Sequence, residues 1–454
     1  MKKVTLFLGL LIVLGLVLVP AVAAQPTTYN AGFQIQNLSD TNAANVSIAY
    51  YNQNGTENIP PVSVTISAGS SQTFFPIDAT AGFNGSVVIS SDQPVAAIAN
   101  VLANGLAYGA SYTSFSGGSA NVNLPLIMKG NSGFDTWFNV QSTNAAGDVN
   151  VNVAYAGTAC TETATIAPGA AHTFTQSTNS CLPNGYVGAA SVTATGGDIV
   201  ATVMETGTTT LFAYNGFTAG ATNPVIPLVN ANNSGFITGI QIQNSGNAPT
   251  NVTVSYTPSA GAPGTACTET KTIAAGASAT FALYAFSLSG DPSPGTNNCV
   301  HGATFIGSAS VSQSGGSQNQ NLVAIVNQLN LATAKASSYN GFNPASASGE
   351  VLMPLIMDRN SGFYTGINVI NIGSASTVTC TYTSNDGNVS QSVISPSLST
   401  GDSFNHLQLN FLASGFVGSG VCTADEPGGS IIAVVNELGS SSGDQLFSYE
   451  GFNN

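Results

Sequence analysis

Three histidines, six cysteines, a single tryptophan and a thin set of carboxylates are the residues of this 454-residue chain with chemistry to offer. His172, His301 and His406 stand in three unlike contexts: an alternating strand-like run, a stretch just after a cysteine, and the approach to "LQLNF". Histidine catalysis needs a base within hydrogen-bond reach of a nucleophile, and the sequence contains no G-x-S-x-G, H-E-x-x-H or phosphate-binding glycine loop. No catalytic residue, cofactor or metal is therefore assigned, and the chain reads as a non-enzyme. Asp358, Asp386, Asp402, Asp425 and Glu426 gather towards the C-terminus. "TADEPGG" lacks the alternating oxygen ligands of a calcium loop and reads as a solvated turn. Trp137 is the one candidate ligand contact: a sugar-stacking platform if exposed, a packed side chain if not.

The cysteines fall in pairs along the chain: Cys160 and Cys181, Cys267 and Cys299, Cys380 and Cys422. Without a C-x-x-C pair, and behind an export-like N-terminus, they read as disulfides rather than metal ligands. Lys2 and Lys3, the apolar run Leu6 to Pro20, and Ala21-Val22-Ala23 compose a secretory signal over residues 1–24, with cleavage expected after Ala23 or Ala24. Charged residues are 6% of the chain and its net charge is −14, where about 25% charged is ordinary. Beyond the N-terminal segment only Lys129, Lys271, Lys335 and Arg359 are cationic. Such a surface repels phosphate polymers and anionic membranes, so nucleic acid is excluded as a partner and no stable membrane insertion is expected after signal cleavage.

The elements that must position these residues come from a chain that repeats itself. "PLIMKGNSGFDTWFNVQ", "PLVNANNSGFITGIQIQ" and "PLIMDRNSGFYTGINVI" begin at Pro125, Pro227 and Pro354, and "FQIQN" at Phe33 is the same element without the Pro-Leu-Ile preface. "VSIAY", "VNVAY", "VTVSY" and "VTCTY" follow, then "ISAGSSQTF", "IAPGAAHTF" and "IAAGASATF" in the first three copies. The last three copies close on Tyr-x-Gly-Phe at Tyr214, Tyr339 and Tyr449, and the first on a degraded form at Tyr112. Four copies of about a hundred residues, each long enough for its own core, read as tandem domains. The boundaries are 25–118, 119–218, 219–343 and 344–454, joined by short Gly/Ser/Ala/Asn seams that predict a semi-rigid rod.

Within each copy the recurring segments alternate apolar and polar residues and are rich in Val, Ile, Thr, Tyr and Phe. Asn54-Gly55, Asp386-Gly387 and Pro168-Gly169 supply turns. Seven or eight short strands per copy predict an all-β chain of four antiparallel sandwiches of immunoglobulin-like type. Pro-Leu-Ile would be a first edge strand, where proline costs no ladder bond. The first two cysteine pairs should tie loops. Cys380 and Cys422, at inward strand positions, should bridge across the core.

On "NSGFITGIQIQNSGNAPTNVTVSY", "TIAAGASATF" and "FIGSASV" the chain resembles the tandem immunoglobulin-like, CARDB-like modules of exported bacterial surface proteins. The resemblance implies a secreted or surface-attached scaffold and brings no active-site residues with it. The expected function is a structural protein of a sheath, surface layer, filament or adhesive coat, associating with itself or other surface components. The alternative is an adhesin binding glycans or proteins through loops at the sandwich ends.

Overall fold

The computed structural model describes residues 28–39, 41–105, 107–317, 319–385 and 387–453. The expected secretory signal over residues 1–24 and Asp386 lie outside these residues. Strand accounts for 59% of the chain and helix for 3%. Among the described residues the strands form eight sheets, all of whose pairings are antiparallel. Each sequence repeat supplies two of them, stacked on a shared apolar core.

One sheet of each repeat is built on a core strand: Tyr29–Asn37, Asp135–Ser142, Phe236–Asn244 or Phe363–Asn371. It pairs with a partner strand, Val95–Ala103, Ile199–Thr206, Leu322–Asn330 or Ile431–Gly439. The partner strand then pairs with a closing strand at the sheet's edge: Tyr108–Thr113, Leu211–Asn215, Lys335–Asn340 or Leu446–Glu450. The period-two pattern is realised faithfully. In repeat two Phe138 and Val140 are fully buried while Trp137, Asn139 and Gln141 on the other face are half-buried.

The second sheet opens, in repeats two to four, with an entry strand carrying the Pro-Leu motif: Asn121–Lys129, Val225–Ala231 or Glu350–Asp358. Proline survives there for a more specific reason than edge position alone. In each ladder Pro and the following Leu form a bulge, between Leu124 and Ile127, Ile226 and Val229, and Met353 and Ile356. A bulge removes both residues from the ladder, so the missing proline N–H costs nothing.

All three cysteine pairs form disulfides, Cys160–Cys181, Cys267–Cys299 and Cys380–Cys422. The first two tie a strand start to a loop. The third does not cross between sheets as expected. Cys380 and Cys422 lie directly opposite each other on neighbouring strands of one sheet. Both are fully buried, in keeping with their inward strand positions. Alternation fixes which face a side chain takes, but says nothing of which inward neighbour it meets.

The rod expectation is also overturned. The closing strand of repeat one touches those of repeats two and four, and the closing strand of repeat three touches those of two and four. The four repeats thus meet in a closed cycle, first against last. Short seams restrict the reach between neighbours, but they leave the direction of the turn open.

Candidate functional site: the junction of the four repeats and the groove beside it

The recurrent Tyr of Tyr-x-Gly-Phe explains itself first. Tyr214 donates to the carbonyl of Leu126 (2.6 Å) and accepts from its N–H (3.2 Å). Tyr339 does the same to Leu228 and Tyr449 to Leu355. The bulge frees both backbone groups of that leucine, and one hydroxyl satisfies both in a buried place where an unpaired group would be costly. The motif glycine lies against the same strand: a Cβ at Gly216 would come within 2.6 Å of Val122, and one at Gly451 within 2.6 Å of Val351.

The residue after each tyrosine forms the junction. Asn215 donates through Nδ2 to the Thr113 carbonyl (2.8 Å) and hydroxyl (3.0 Å). Asn340 donates to the Asn215 carbonyl (2.7 Å) and accepts from its N–H (3.1 Å). The Asn340 N–H donates to Glu450, and the Thr113 hydroxyl donates to the other Glu450 oxygen (3.1 Å). Four equivalent positions from four repeats close one hydrogen-bonded ring.

A second tier sits on the partner strands. Asn327 donates to Glu205 (2.7 Å), Gln328 and Asn436 exchange bonds at 3.1 Å, and Asn100 donates to Glu437 (3.5 Å). Between repeats one and two the same place is apolar, with Val101 and Met204 in one cluster. Glu205 and Glu437 are buried, and burial pushes each up to about 8 against the smaller pull of its asparagine. Each leaves Oε1 without a hydrogen-bond partner among the described residues. Asp444 completes the junction by accepting from the N–H groups of Leu211 and Ala336, both at 2.6 Å, while its own N–H donates to Ala107 (3.0 Å). One carboxyl of repeat four thereby holds repeats two and three, and its backbone holds repeat one.

Neighbouring repeats also dock through the entry strand, which packs on the next repeat's core strand. Asn368 donates to the carbonyl of Pro227 (2.5 Å), and Gln34 to that of Pro354 (2.7 Å). Ile325 enters the core of repeat two, Val434 that of repeat three, and Ile98 that of repeat four. Repeat one has no entry strand among the described residues. In its place a groove of about 1410 Å³ runs between repeats one and two. Tyr112, Trp137, Asn139, Gln141 and the edge strand Gly85–Ser91 line it.

Of the sequence-derived candidates, Trp137 alone reaches this groove; it is half-buried and meets Tyr29 edge-on at 5.9 Å. The histidines are brought to no common place. His172 lies edge-on to Phe174, and His301 bonds the Leu288 carbonyl. His406 stacks on Tyr382 and Phe404, and burial lowers its pKa. Asp425 accepts from Thr377 and Thr379, and Asp358 pairs with Arg359. No group of three or more metal-ligating side chains occurs among the described residues. The junction carboxyls belong to no motif of the sequence; their one signal there is that Glu205 and Glu437 occupy one aligned position in a chain poor in charge. Compared with known protein families and with curated proteins, the chain matches none.

Proposed function

We propose that the protein is a secreted, non-enzymatic structural component of a cell surface or extracellular layer, built from four immunoglobulin-like sandwiches that lock into one rigid block. The observation that carries this reading is the ring through Thr113, Asn215, Asn340 and Glu450, which joins the first repeat to the last. Such bonding suits a tile that transmits load more than a hinged binder. Three disulfides favour an oxidising compartment. The four cations beyond the N-terminal segment all bond within the fold: Lys129 to Leu182, Lys271 to Glu269 and Asp291, Lys335 to Gly439 and Arg359 to Asp358. This leaves an uncharged or acidic exterior suited to self-association through Asn, Ser and Thr faces, and poorly suited to phosphate polymers.

Fractionating cells and medium, then following assembly by light scattering and electron microscopy, tests the proposal. Surface or medium location with concentration-dependent, ordered assembly is expected. A cytosolic protein, or one that stays monomeric at every concentration, contradicts it. The groove favours a second reading, a glycan- or protein-binding adhesin, because Trp137 stands beside Asn139 and Gln141. Saturable thermal stabilisation by glycans, abolished in Trp137→Ala, would select that reading.

A further inference from the structure

We propose that Lys271 and Asp291 of repeat three become joined by an intramolecular amide bond, formed by the chain itself with Glu269 carrying the protons.

The strand pattern places the amine in the core. In Cys267–Ile273 the residues Cys267, Glu269, Lys271 and Ile273 face inward, and the side chains of Glu269 and Lys271 are each 2% exposed. Repeat two carries Cys160, Glu162 and Ile166 at the matching places, but Ala164 where repeat three has Lys271. Glu162 accepts from Tyr155 as Glu269 does from Tyr256, so the glutamate serves the core in both repeats. The lysine is the addition, and it comes with a longer loop. The bridged cysteines are 21 residues apart in repeat two and 32 in repeat three, and the longer segment carries Asp291. An ammonium buried with carboxylates stabilises a fold little more than an apolar side chain would, so stability alone does not account for the inward lysine and its loop.

The geometry points to a reaction. Lys271 Nζ is 2.6 Å from Asp291 Oδ2 and 3.2 Å from Glu269 Oε1, and it also donates to the Thr280 carbonyl (2.5 Å). The rings of Phe281 and Tyr284 flank it, with centroids at 5.3 and 6.0 Å. Asp291 Oδ1 accepts from the Ser293 N–H (2.9 Å), which holds the carboxyl from its other side. Glu269 is fixed through Oε2, which accepts from the Tyr256 hydroxyl (2.9 Å) and the Ala282 N–H (2.8 Å). Ala282 takes a φ of 63°, a strained value for a residue with a side chain, as it presents that N–H. Three devices press the loop onto the lysine's strand: the Cys267–Cys299 disulfide, the pairing of Thr296–Asn297 with Glu269 and Thr270, and Gly295, where a Cβ would come within 2.9 Å of Lys271 Cγ. Amine and carboxyl are thereby held in contact, which replaces an encounter in solution by a step within one molecule.

The step balances without another reactant. One ammonium proton passes from Nζ to Asp291 Oδ2, leaving a neutral amine and a carboxylic acid. The Nζ lone pair forms the bond to Cγ, and the C=O π pair moves onto Oδ1, where the Ser293 N–H receives it. Glu269 takes a second proton from Nζ and delivers it to the Oδ2 hydroxyl. Oδ2 leaves with its bonding pair as water, and the Oδ1 pair restores the C=O. Glu269 ends as it began. The Asp291 side chain is 22% exposed, which gives the water a way out.

Peptide mapping of the full chain, isolated folded and then reduced and alkylated, tests the proposal. The expected product is one branched peptide joining the Lys271 and Asp291 stretches, lighter than the two together by one water, at near-complete occupancy. Lys271→Met and Asp291→Ala must abolish it. Glu269→Gln keeps an acceptor for Tyr256 and Ala282 but carries no proton, and must leave the two peptides separate in a folded variant. Separate peptides of unmodified mass from the folded wild-type protein would mean an ion pair only and would overturn the proposal. So would a lost water that maps to ring closure at Asp386-Gly387 rather than to Lys271. Undiminished branching in folded Glu269→Gln would overturn the role given to Glu269. Should the variants fail to fold, the wild-type map decides alone.

Discussion

At the residue scale, the hydroxyl of the Tyr-x-Gly-Phe motif and the two buried glutamates make the sharpest predictions. Tyr339→Phe strips the Leu228 N–H and C=O of their shared partner, and should cost about 1–3 kcal/mol by denaturant unfolding. Glu205 and Glu437 predict an unusual dependence on pH. Each is held protonated in the fold up to about 8, but ionises near its ordinary value of about 4.5 in the unfolded chain. Between these limits the folded state binds more protons, so stability falls as pH rises. The stabilisation is complete below about 4.5 and is lost as pH climbs through about 8. Thermal melts from pH 4 to 9 should show it, and the double variant Glu205→Gln with Glu437→Gln should reduce the slope in that window without abolishing it, because burial also raises the junction carboxyls Asp444 and Glu450. The sequence displayed the tyrosines because they recur. It hid the ring that follows them, because Thr113, Asn215, Asn340 and Glu450 differ in type and share only their position. A recurring residue advertises a task inside every repeat. A varying one at a fixed place turned out to mark contact between repeats.

At the element scale, alternation in segments such as Phe138 to Val140 was enough to give the strands and their buried faces. The Pro-Leu motif was legible as the start of a strand, but its bulge was not, since a bulge is defined by the partner strand. The disulfide between Cys380 and Cys422 shows the same limit. It joins adjacent strands within the sheet, so it should act as a local staple on repeat four. Replacing both cysteines with alanine should lower stability by about 2–4 kcal/mol, with the junction kept. That outcome is checked by guanidinium unfolding followed alongside the exchange protection of closing-strand amides. Simultaneous loss of both would mean that repeat four does not fold apart from its neighbours.

At the scale of the whole molecule, four similar units of about a hundred residues were plain in the sequence, and their closure was not. Gly, Ser and Ala seams are compatible with either a line or a circuit. The choice is made by side chains from distant repeats, as when Ser111 of repeat one donates to the Ser448 carbonyl of repeat four at 2.6 Å. The circuit is also uneven. Three of its four joints are made through an entry strand, and the joint between repeats one and two holds a groove instead. That joint should open first under load or denaturant, and hydrogen exchange should find the Gly85–Ser91 strand less protected than Tyr186–Thr195. Small-angle X-ray scattering of the purified protein tests the closed arrangement most directly. A compact particle of this length has a radius of gyration of about 22 Å, and a value near that is the predicted result. A value roughly twice as large, with the scattering profile of an elongated body, would contradict it.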